Sequence, residues 1–430
     1  MERKYSDEVK PGDKVVMKGW VAKTRDLGGL KFFLLRDRQG TIQVTAKKGN
    51  VPDSVFKKFS DIMKEYCVSV EGKVKVAKQT SAGVELVPSK LEIISKSEPE
   101  LPIDVFGKIE SGKDKRFDYR FLDVREPEMQ AIFRIKARTV QAIREYFIKE
   151  GFIEIFTPVI QAAGAEGGAT MFPVQYYDKK AYLRQSPQLY KQMMMASGMD
   201  KVFEIGQAFR AEKFHTVRHV SEFLSVDFEQ GWIESEEDIM RTLEGMVHYS
   251  VSAVARDCKK ELKMLGKRVN VPKLPFKRFT YDYVLKALKK VGVKLKWGDD
   301  IEDAQERKFG EIMAKKGIEW YFITNFPSKI KPFYIMLEGK SSRGIDLDFK
   351  GMEIASGGQR EHRHDVLKKV MKEKGLDPKN FEFFLEPFRY GIPPHGGIGF
   401  GAERMVEKLL DLPDIKEAIL FPRTPERLIP

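Results

Sequence analysis

The chain has 430 residues, 42% hydrophobic and 32% charged, with a net charge of +13. It has no apolar run long enough to span a membrane and no apolar signal region at its start, so a cytoplasmic location is expected. Cys67 and Cys258 are its two cysteines, too few for a disulfide framework or a cysteine-based zinc site. The length predicts two domains, and +6 of the net charge falls in residues 1–100. That density suits either a polyanion partner or a solvated basic surface.

Three strands are predicted over residues 14–25, 31–38 and 40–47, punctuated by Gly28-Gly29 and Gln39-Gly40. A helix over 51–65 follows, with Phe56, Phe59 and Met63 on one face, then strands over 66–76 and 84–94. Three strands, a helix and two strands predict a five-stranded OB barrel over residues 1–100. Such barrels bind single-stranded nucleic acid by stacking bases on aromatic rings. Phe32 could supply a ring, with Gln43 and Glu85 as base-edge partners; the same pattern also fits Phe32 as core. Residues 101–125 show little periodicity and read as a linker.

Residues 126–150 predict an amphipathic helix, with Phe133, Ala137, Val140, Ile143 and Phe147 on one stripe and Gly151 as its stop. A strand broken at Pro158 follows, a shape that suits either a dimer seam or ordinary packing on a sheet. Glu166 sits in a glycine-rich loop, either a closing loop over a ligand ammonium or a plain turn. Gln188 and Lys191 are three apart on a predicted helix and so share a face.

Two strands are predicted to end at Phe209 and to run over 224–228, joined by a charged loop. Arg210, Glu212, Arg218 and His219 stand at its mouth, with Phe223 entering the second strand. A guanidinium at a strand end can grip phosphate bidentately, and Phe223 can stack on a purine. A charged hairpin with Phe223 in the core fits the same residues. Residues 273–327 read as an irregular insertion with one helix near 281–291, and strands are expected at 320–325, 332–337 and 344–349.

In the run Gly351 to Arg360, Glu353 and Ser356 could hold a hard cation through oxygen, as Mg²⁺ requires beside phosphates. Arg360 adds a fixed cation. Gly397-Ile-Gly-Phe-Gly401 is a Gly-x-Gly-x-Gly strand entering a helix, with room for a flat ring and with Arg404 in reach of phosphate. Its spacing is not that of a dinucleotide fingerprint.

Taken in order, these segments resemble the three motifs of class II aminoacyl-tRNA synthetases. They are the helix and strand ending at Pro158, Phe209-Arg-Ala-Glu212 through Arg218-His219 to Phe223, and Gly397 to Arg404. With the OB barrel, the chain is similar to the subgroup handling aspartate, asparagine and lysine, in its compact archaeal form. Gln185-Ser-Pro-Gln-Leu-Tyr-Lys191, Gly357 to His364 and Phe388 to Gly397 look like the aspartyl type. Asparaginyl enzymes usually carry an apolar residue where Lys191 stands, but Gly168 to Phe172 and the ending Phe421 to Arg427 look asparaginyl-like.

The resemblance implies an α+β class II domain over 126–430 with an antiparallel sheet flanked by helices. It implies aspartate binding by Glu166, Gln188, Lys191, Arg210, Ser356 and Arg360, with Lys191 and Arg360 pairing the side-chain carboxylate. ATP would be held by Arg210, Ala211, Glu212, Arg218, His219, Val220, Phe223, Glu353, Gly401, Ala402, Glu403 and Arg404. Arg210, Glu353 and Arg404 would be catalytic, and Glu353 and Ser356 would hold Mg²⁺. Phe32, Gln43 and Glu85 match positions that hold the anticodon of tRNA-Asp, and the choice between tRNA-Asp and tRNA-Asn stays open. A homodimer is implied. Rival readings are an asparaginyl-tRNA synthetase, an asparagine-making ligase and a non-catalytic RNA-binding paralogue.

Overall fold

The computed structural model describes residues 1–105, 111–162, 171–212 and 218–430. Backbone contacts divide it into two units, Met1–Ser111 and Gly112–Pro430.

In the first unit, β1 (Lys14–Asp26), β2 (Leu30–Arg36), β3 (Thr41–Lys47), β4 (Cys67–Val76) and β5 (Val84–Ser95) pair in the order β1-β2-β3-β5-β4, and β1 also pairs with β4. That last pairing closes the barrel and removes the exposed edges an open sheet would carry. Alternation along each strand sends Phe33, Leu35, Ile42, Val44 and Leu86 inward to one core. The connecting helix is shorter than predicted: α1 covers Asp53–Lys58, followed by a 3-10 turn at Phe59–Asp61. Val55, Phe59 and Ile62 are its buried residues, and Met63 is exposed.

The second unit is built on an eight-stranded sheet. Its strands are β6 (Ile153–Glu154), β7 (Lys201–Phe209), β8 (Glu222–Gly231), β9 (Lys277–Thr280), β10 (Trp320–Thr324), β11 (Gly344–Phe349), β12 (Glu353–Gln359) and β13 (His395–Gly401). They lie in the order β9-β10-β11-β12-β13-β8-β7-β6. The two outer pairs are parallel and the inner pairs antiparallel. The long helices Pro127–Lys149 and Glu236–Asp257 bury Ile135, Ile143, Phe147, Leu243 and Val247 against one face of this sheet. The second begins with a capping box on Ser235 and Asp238, which satisfies amide donors that have no partner inside the helix.

Four expectations are corrected here. Residues 112–125 are not a loose linker. They form the short helices Lys113–Asp118 and Arg120–Asp123, tied into the second unit by Arg116 and Arg120. Residues 273–327 add β9 of the main sheet and a second helix, Asp303–Ala314, to the expected strand β10, so they are no irregular insertion. Residues 332–336 make a turn and the isolated bridge Ile335–Arg360 in place of a strand, Pro332 removes one ladder donor there, and only Leu337–Glu338 is strand, paired with Ser341–Ser342. Ala137, placed on the buried stripe of the long helix, is exposed.

Candidate active site

The charged hairpin forms as expected. β7 and β8 run antiparallel from Lys201–Gln230 to Phe209–Glu222, which brings Arg210 beside Phe223, its guanidinium 5.4 Å from the ring centroid. On the other side β8 pairs with β13, and β13 with β12, so the hairpin and both glycine-rich segments share one sheet face. Glycine is required at that junction. A Cβ on Gly357 would lie 2.1 Å from the Gly397 oxygen, and one on Gly397 would lie 2.0 Å from the Phe228 oxygen.

A cavity of about 280 Å³ opens over this surface. Of the expected site residues, Gln188, Arg210, Arg218, His219, Val220, Phe223, Glu353, Ser356, Arg360, Gly401, Glu403 and Arg404 line it. Ala211 and Glu212 instead line a separate cavity with Phe172, Phe209 and Arg427. Ala402 is fully buried in the core. Glu166 lies outside the described residues.

Glu353 and Ser356 are three apart on one strand, and strict alternation would put them on opposite faces. A β-bulge reconciles them. Asp346 pairs with Ser356 and Leu347 with Ala355, but Asp348 pairs with Glu353, which leaves Ile354 as the extra residue. Both side chains therefore reach the cavity. Ser356 Oγ donates to Asp346 Oδ1 at 2.6 Å, and Lys331 Nζ donates to both Asp346 oxygens at 2.6 and 2.7 Å. Arg404 donates to the Glu353 carbonyl at 2.9 Å and stands 3.6 Å from its carboxylate.

Negative charge is crowded beneath this wall. Burial, with the charge of Glu353 added, pushes Glu306 up to about 7 against the pull of Arg218. Burial also pushes Asp346 up to about 6, and burial with its acidic neighbours raises Asp348 well above the carboxylate range. Arg218 is already gripped, donating to Glu306 at 2.6 Å, Asp303 at 3.1 Å and the Gly351 carbonyl at 2.9 Å. His219 is held below its ordinary value, first by burial and then by Arg404, so it is neutral near pH 7. The Glu403 carboxylate accepts from the Leu224 amide and from Lys136, which clamps the last motif to β8 and the long helix.

Glu407, one turn beyond Arg404 on the helix Ala402–Leu409, is buried and pushed up to about 7, chiefly by burial. The folded chain holds this proton more tightly than the unfolded chain does. The resulting stabilisation is complete below about pH 4.5 and is lost as pH rises through about 7. Each tenfold difference in proton affinity between the folded and unfolded chain is worth about 1.36 kcal/mol. Wild-type chain is therefore expected to lose about 3 kcal/mol more than Glu407→Gln over that rise. Urea unfolding at pH 5 and pH 9 measures it, and equal losses in the two proteins would refute the assignment.

At the inner end of the cavity, Lys191 and Arg360 do meet, but on protein carboxylates. Arg360 Nε donates to Glu229 Oε1 at 2.8 Å, and its Nη2 donates to Glu229 Oε2 at 3.2 Å and Gln188 Oε1 at 3.1 Å. Lys191 Nζ donates to Asp227 Oδ1 at 3.0 Å and the Ile398 carbonyl at 2.7 Å, with Glu229 3.5 Å away. Lys191 is not in the cavity wall; Asp227 stands there and Arg360 beside it. Burial would raise Glu229, but Arg360 and Lys191 outweigh it and hold the carboxylate below its usual range. The expected recess of two cations awaiting a carboxylate is thus corrected to a charge-balanced one. Two positive and two negative groups already neutralise each other, as burial demands.

Sequence reasoning missed Asp227, Glu229 and Ser225, although their alternation on β8 is a period-two signal inside an apolar run. It also missed Lys331, which precedes the turn at Phe333–Tyr334 where a strand is expected.

In the barrel, Phe32 is opposite Thr45 on the neighbouring strand, and Thr45 Oγ1 donates to Glu85 at 2.6 Å. Gln43 is 3.4 Å from the same carboxylate and opposite Glu85 in register. The three expected residues therefore share one half-exposed sheet face, outside the core formed by Phe33 and Val44.

Residues 112–425 match the model for class II tRNA synthetases (D, K and N), and residues 15–94 match that for the OB-fold nucleic acid binding domain. The chain belongs to the class II tRNA synthetases. This synthetase is 48% identical to the aspartate–tRNA(Asp) ligase of Pyrococcus abyssi over 99% of each chain. It is 45% identical to the aspartate–tRNA(Asp/Asn) ligase of Methanopyrus kandleri, again over 99% of each. Among solved structures it is similar to the asparaginyl-tRNA synthetase of Pyrococcus horikoshii complexed with asparaginyl-adenylate. There the TM-score is 0.93, with 36% identity and full coverage of both chains. As a member of this family the synthetase uses ATP. No helix among the described residues is long and apolar enough to cross a membrane.

Proposed function

We propose that this synthetase activates L-aspartate with ATP and transfers the aspartyl group to the 3′-terminal ribose of tRNA-Asp, in the compartment where translation runs. The observation that carries the amino acid is the full-length match to aspartate–tRNA ligases, with the buried Arg360 guanidinium in the cavity wall as the cation that a substrate carboxylate would share with Glu229. A guanidinium only donates, so a carboxylate satisfies it from either oxygen. An asparagine side chain of the same shape brings two N–H donors of its own, and leaving buried donors opposed costs about 1–3 kcal/mol.

An α-carboxylate oxygen attacks the α-phosphorus of ATP, the bond to the bridging oxygen breaks, and pyrophosphate leaves with the electron pair. The nucleophile is already ionised, so no general base is needed. The work is alignment and charge neutralisation. Arg210 would bridge the carboxylate and the α-phosphate, Phe223 would stack on adenine, and Arg404 would meet the outer phosphates. Arg218 would act there too, once drawn from Glu306 and Asp303. Glu353 would contribute its charged oxygen to the same phosphates through a cation, and Glu166 would close over the ligand ammonium.

Among the described residues no three acidic, histidine or cysteine side chains converge as a metal cage. The donor set nevertheless fits Mg²⁺, which takes one or two protein oxygens beside phosphates. Glu353 and Ser356 would hold it, beside Glu306 and Asp346, whose proton affinities are raised chiefly by burial and further by the charge of Glu353. That ion would neutralise phosphate charge.

Phe32, Gln43 and Glu85 would hold the anticodon. A homodimer is proposed, since the strand after the long helix leaves Ile153, Phe156 and Ile160 exposed, Phe156 by 82%.

Pyrophosphate exchange with aspartate and asparagine side by side, then charging of tRNA-Asp and tRNA-Asn, tests the proposal. Aspartate should support exchange at least about tenfold better. Preference for asparagine would establish the asparaginyl reading instead, and charging of both tRNAs would define a relaxed enzyme.

A further inference from the structure

Behind the inner wall of the cavity runs a chain of side-chain hydrogen bonds. Arg360 Nη2 donates to Gln188 Oε1 at 3.1 Å, and Gln188 Nε2 donates to Gln192 Oε1 at 3.0 Å. Gln192 Nε2 lies 3.1 Å from His395 Nε2, and His395 Nδ1 lies 2.8 Å from the Pro393 carbonyl. All four side chains are buried, and Gln192 and His395 are completely so. Gln188 and Arg360 line the cavity; Gln192 and His395 do not.

The two ends allow only one sense through this chain. The Pro393 carbonyl can only accept, so His395 carries its proton on Nδ1. Burial pushes this ring down to about 4, against the opposing charge of Glu229, so it is neutral and Nε2 is a bare acceptor. Gln192 must then turn its N–H to the histidine and its oxygen to Gln188. Gln188 must give its N–H to that oxygen, which leaves its own oxygen facing Arg360. Arg360 can only donate, so the far end agrees. A second proton on His395 would force both amides over and set the Gln188 N–H against the guanidinium. His395 also accepts the Arg360 backbone N–H on its carbonyl at 2.8 Å, so one residue fixes Arg360 through two routes.

We infer that Gln192 and His395 are positioning residues for amino-acid selection: they orient the Gln188 amide with its oxygen on Arg360 and so fix the guanidinium edge presented to the substrate side chain. This deepens the aspartate reading and rests on it. The predicted signature is selective. Loss of the relay frees Gln188 to turn its N–H toward Arg360, which Glu229 then orients without the Gln188 oxygen, and this weakens aspartate more than asparagine and leaves ATP untouched.

The test is pyrophosphate exchange by the full chain with aspartate and with asparagine, for wild type, His395→Leu, His395→Gln and Gln192→Met. At 395 glutamine can accept from Gln192 and donate to Pro393 while leucine can do neither, and methionine at 192 has no N–H for His395 and only a weak acceptor for Gln188. In His395→Leu and Gln192→Met, the KM for aspartate should rise and the aspartate-to-asparagine ratio of kcat/KM should fall at least about tenfold, with the KM for ATP unchanged. His395→Gln should stay close to wild type. The inference is overturned if the ratio is unchanged in Gln192→Met, if both amino acids and ATP weaken by one common factor, or if His395→Gln is as poor as His395→Leu. Failure of wild type to activate aspartate would instead sink the function itself.

Discussion

Arg210→Ala is expected to lower aspartate-dependent pyrophosphate exchange by about a thousandfold or more while the chain stays folded. Arginines that stabilise a phosphoryl-transfer transition state contribute about 10³–10⁵ in rate. Arg210 stands exposed at the cavity mouth, against the face of Phe223. Removing it leaves no buried charge behind, and surface changes of this kind usually alter stability by less than about 0.5 kcal/mol. Glu353 and Arg404 stay locked together by the bond from Arg404 to the Glu353 carbonyl. Exchange assays beside an unfolding curve separate the two effects. Ordinary exchange in the variant would remove Arg210 from the chemistry, and a collapsed fold would show that it had a structural role.

The second large effect concerns stability. Arg120 is completely buried, pairs with Asp123, and donates to the carbonyls of Glu417, Ile419 and Leu420 at 3.2, 3.0 and 3.2 Å. Its guanidinium also lies 5.0 and 5.1 Å from the rings of Phe117 and Phe133. Arg120→Ala would strand the Asp123 and Glu417 carboxylates and three carbonyls beside a void. Breaking a buried pair in this way costs about 3–5 kcal/mol. Arg116, which also bonds both carboxylates, makes the lower end of that range the expected value. Chemical denaturation measures it, and a loss below about 1 kcal/mol would mean that Arg116 carries the cluster alone.

Arg120 also shows where the sequence stops being legible. Its segment has no apolar periodicity because its burial is carried by a charged side chain, and no local pattern announces a partner 297 residues away. Residues 273–327 hide β9 for a related reason, although β10 stands where a strand is expected. β9 is four residues long and pairs with β10 across two intervening helices, so its strand character comes from the sheet it joins. The hairpin around Phe209 and Phe223 is legible because long apolar runs carry their own period and the charged groups fall at their ends.

The site is legible in its residue types and less so in its pairings. Cations announce themselves in a sequence, but their counter-ions do not. Lys191 has the look of a group awaiting a ligand, yet Asp227 and Glu229 stand 3.0 and 3.5 Å away. The union of Glu353 and Ser356 depends on a bulge at Ile354, which no residue type there foretells.

The bare peptide floor made by Gly357 and Gly397 has an evolutionary consequence. Any side chain added at either position meets a neighbouring backbone carbonyl at 2.1 and 2.0 Å, far inside contact distance, so no single exchange there can tailor the seat to another ligand. Innovation in what this enzyme accepts is confined to the half-buried lining, where Gln185 and Pro332 can vary, while Gln188 and Lys331 are held in buried hydrogen bonds. A lineage drifting toward a new amino acid would keep its nucleotide seat and remodel only the walls around it.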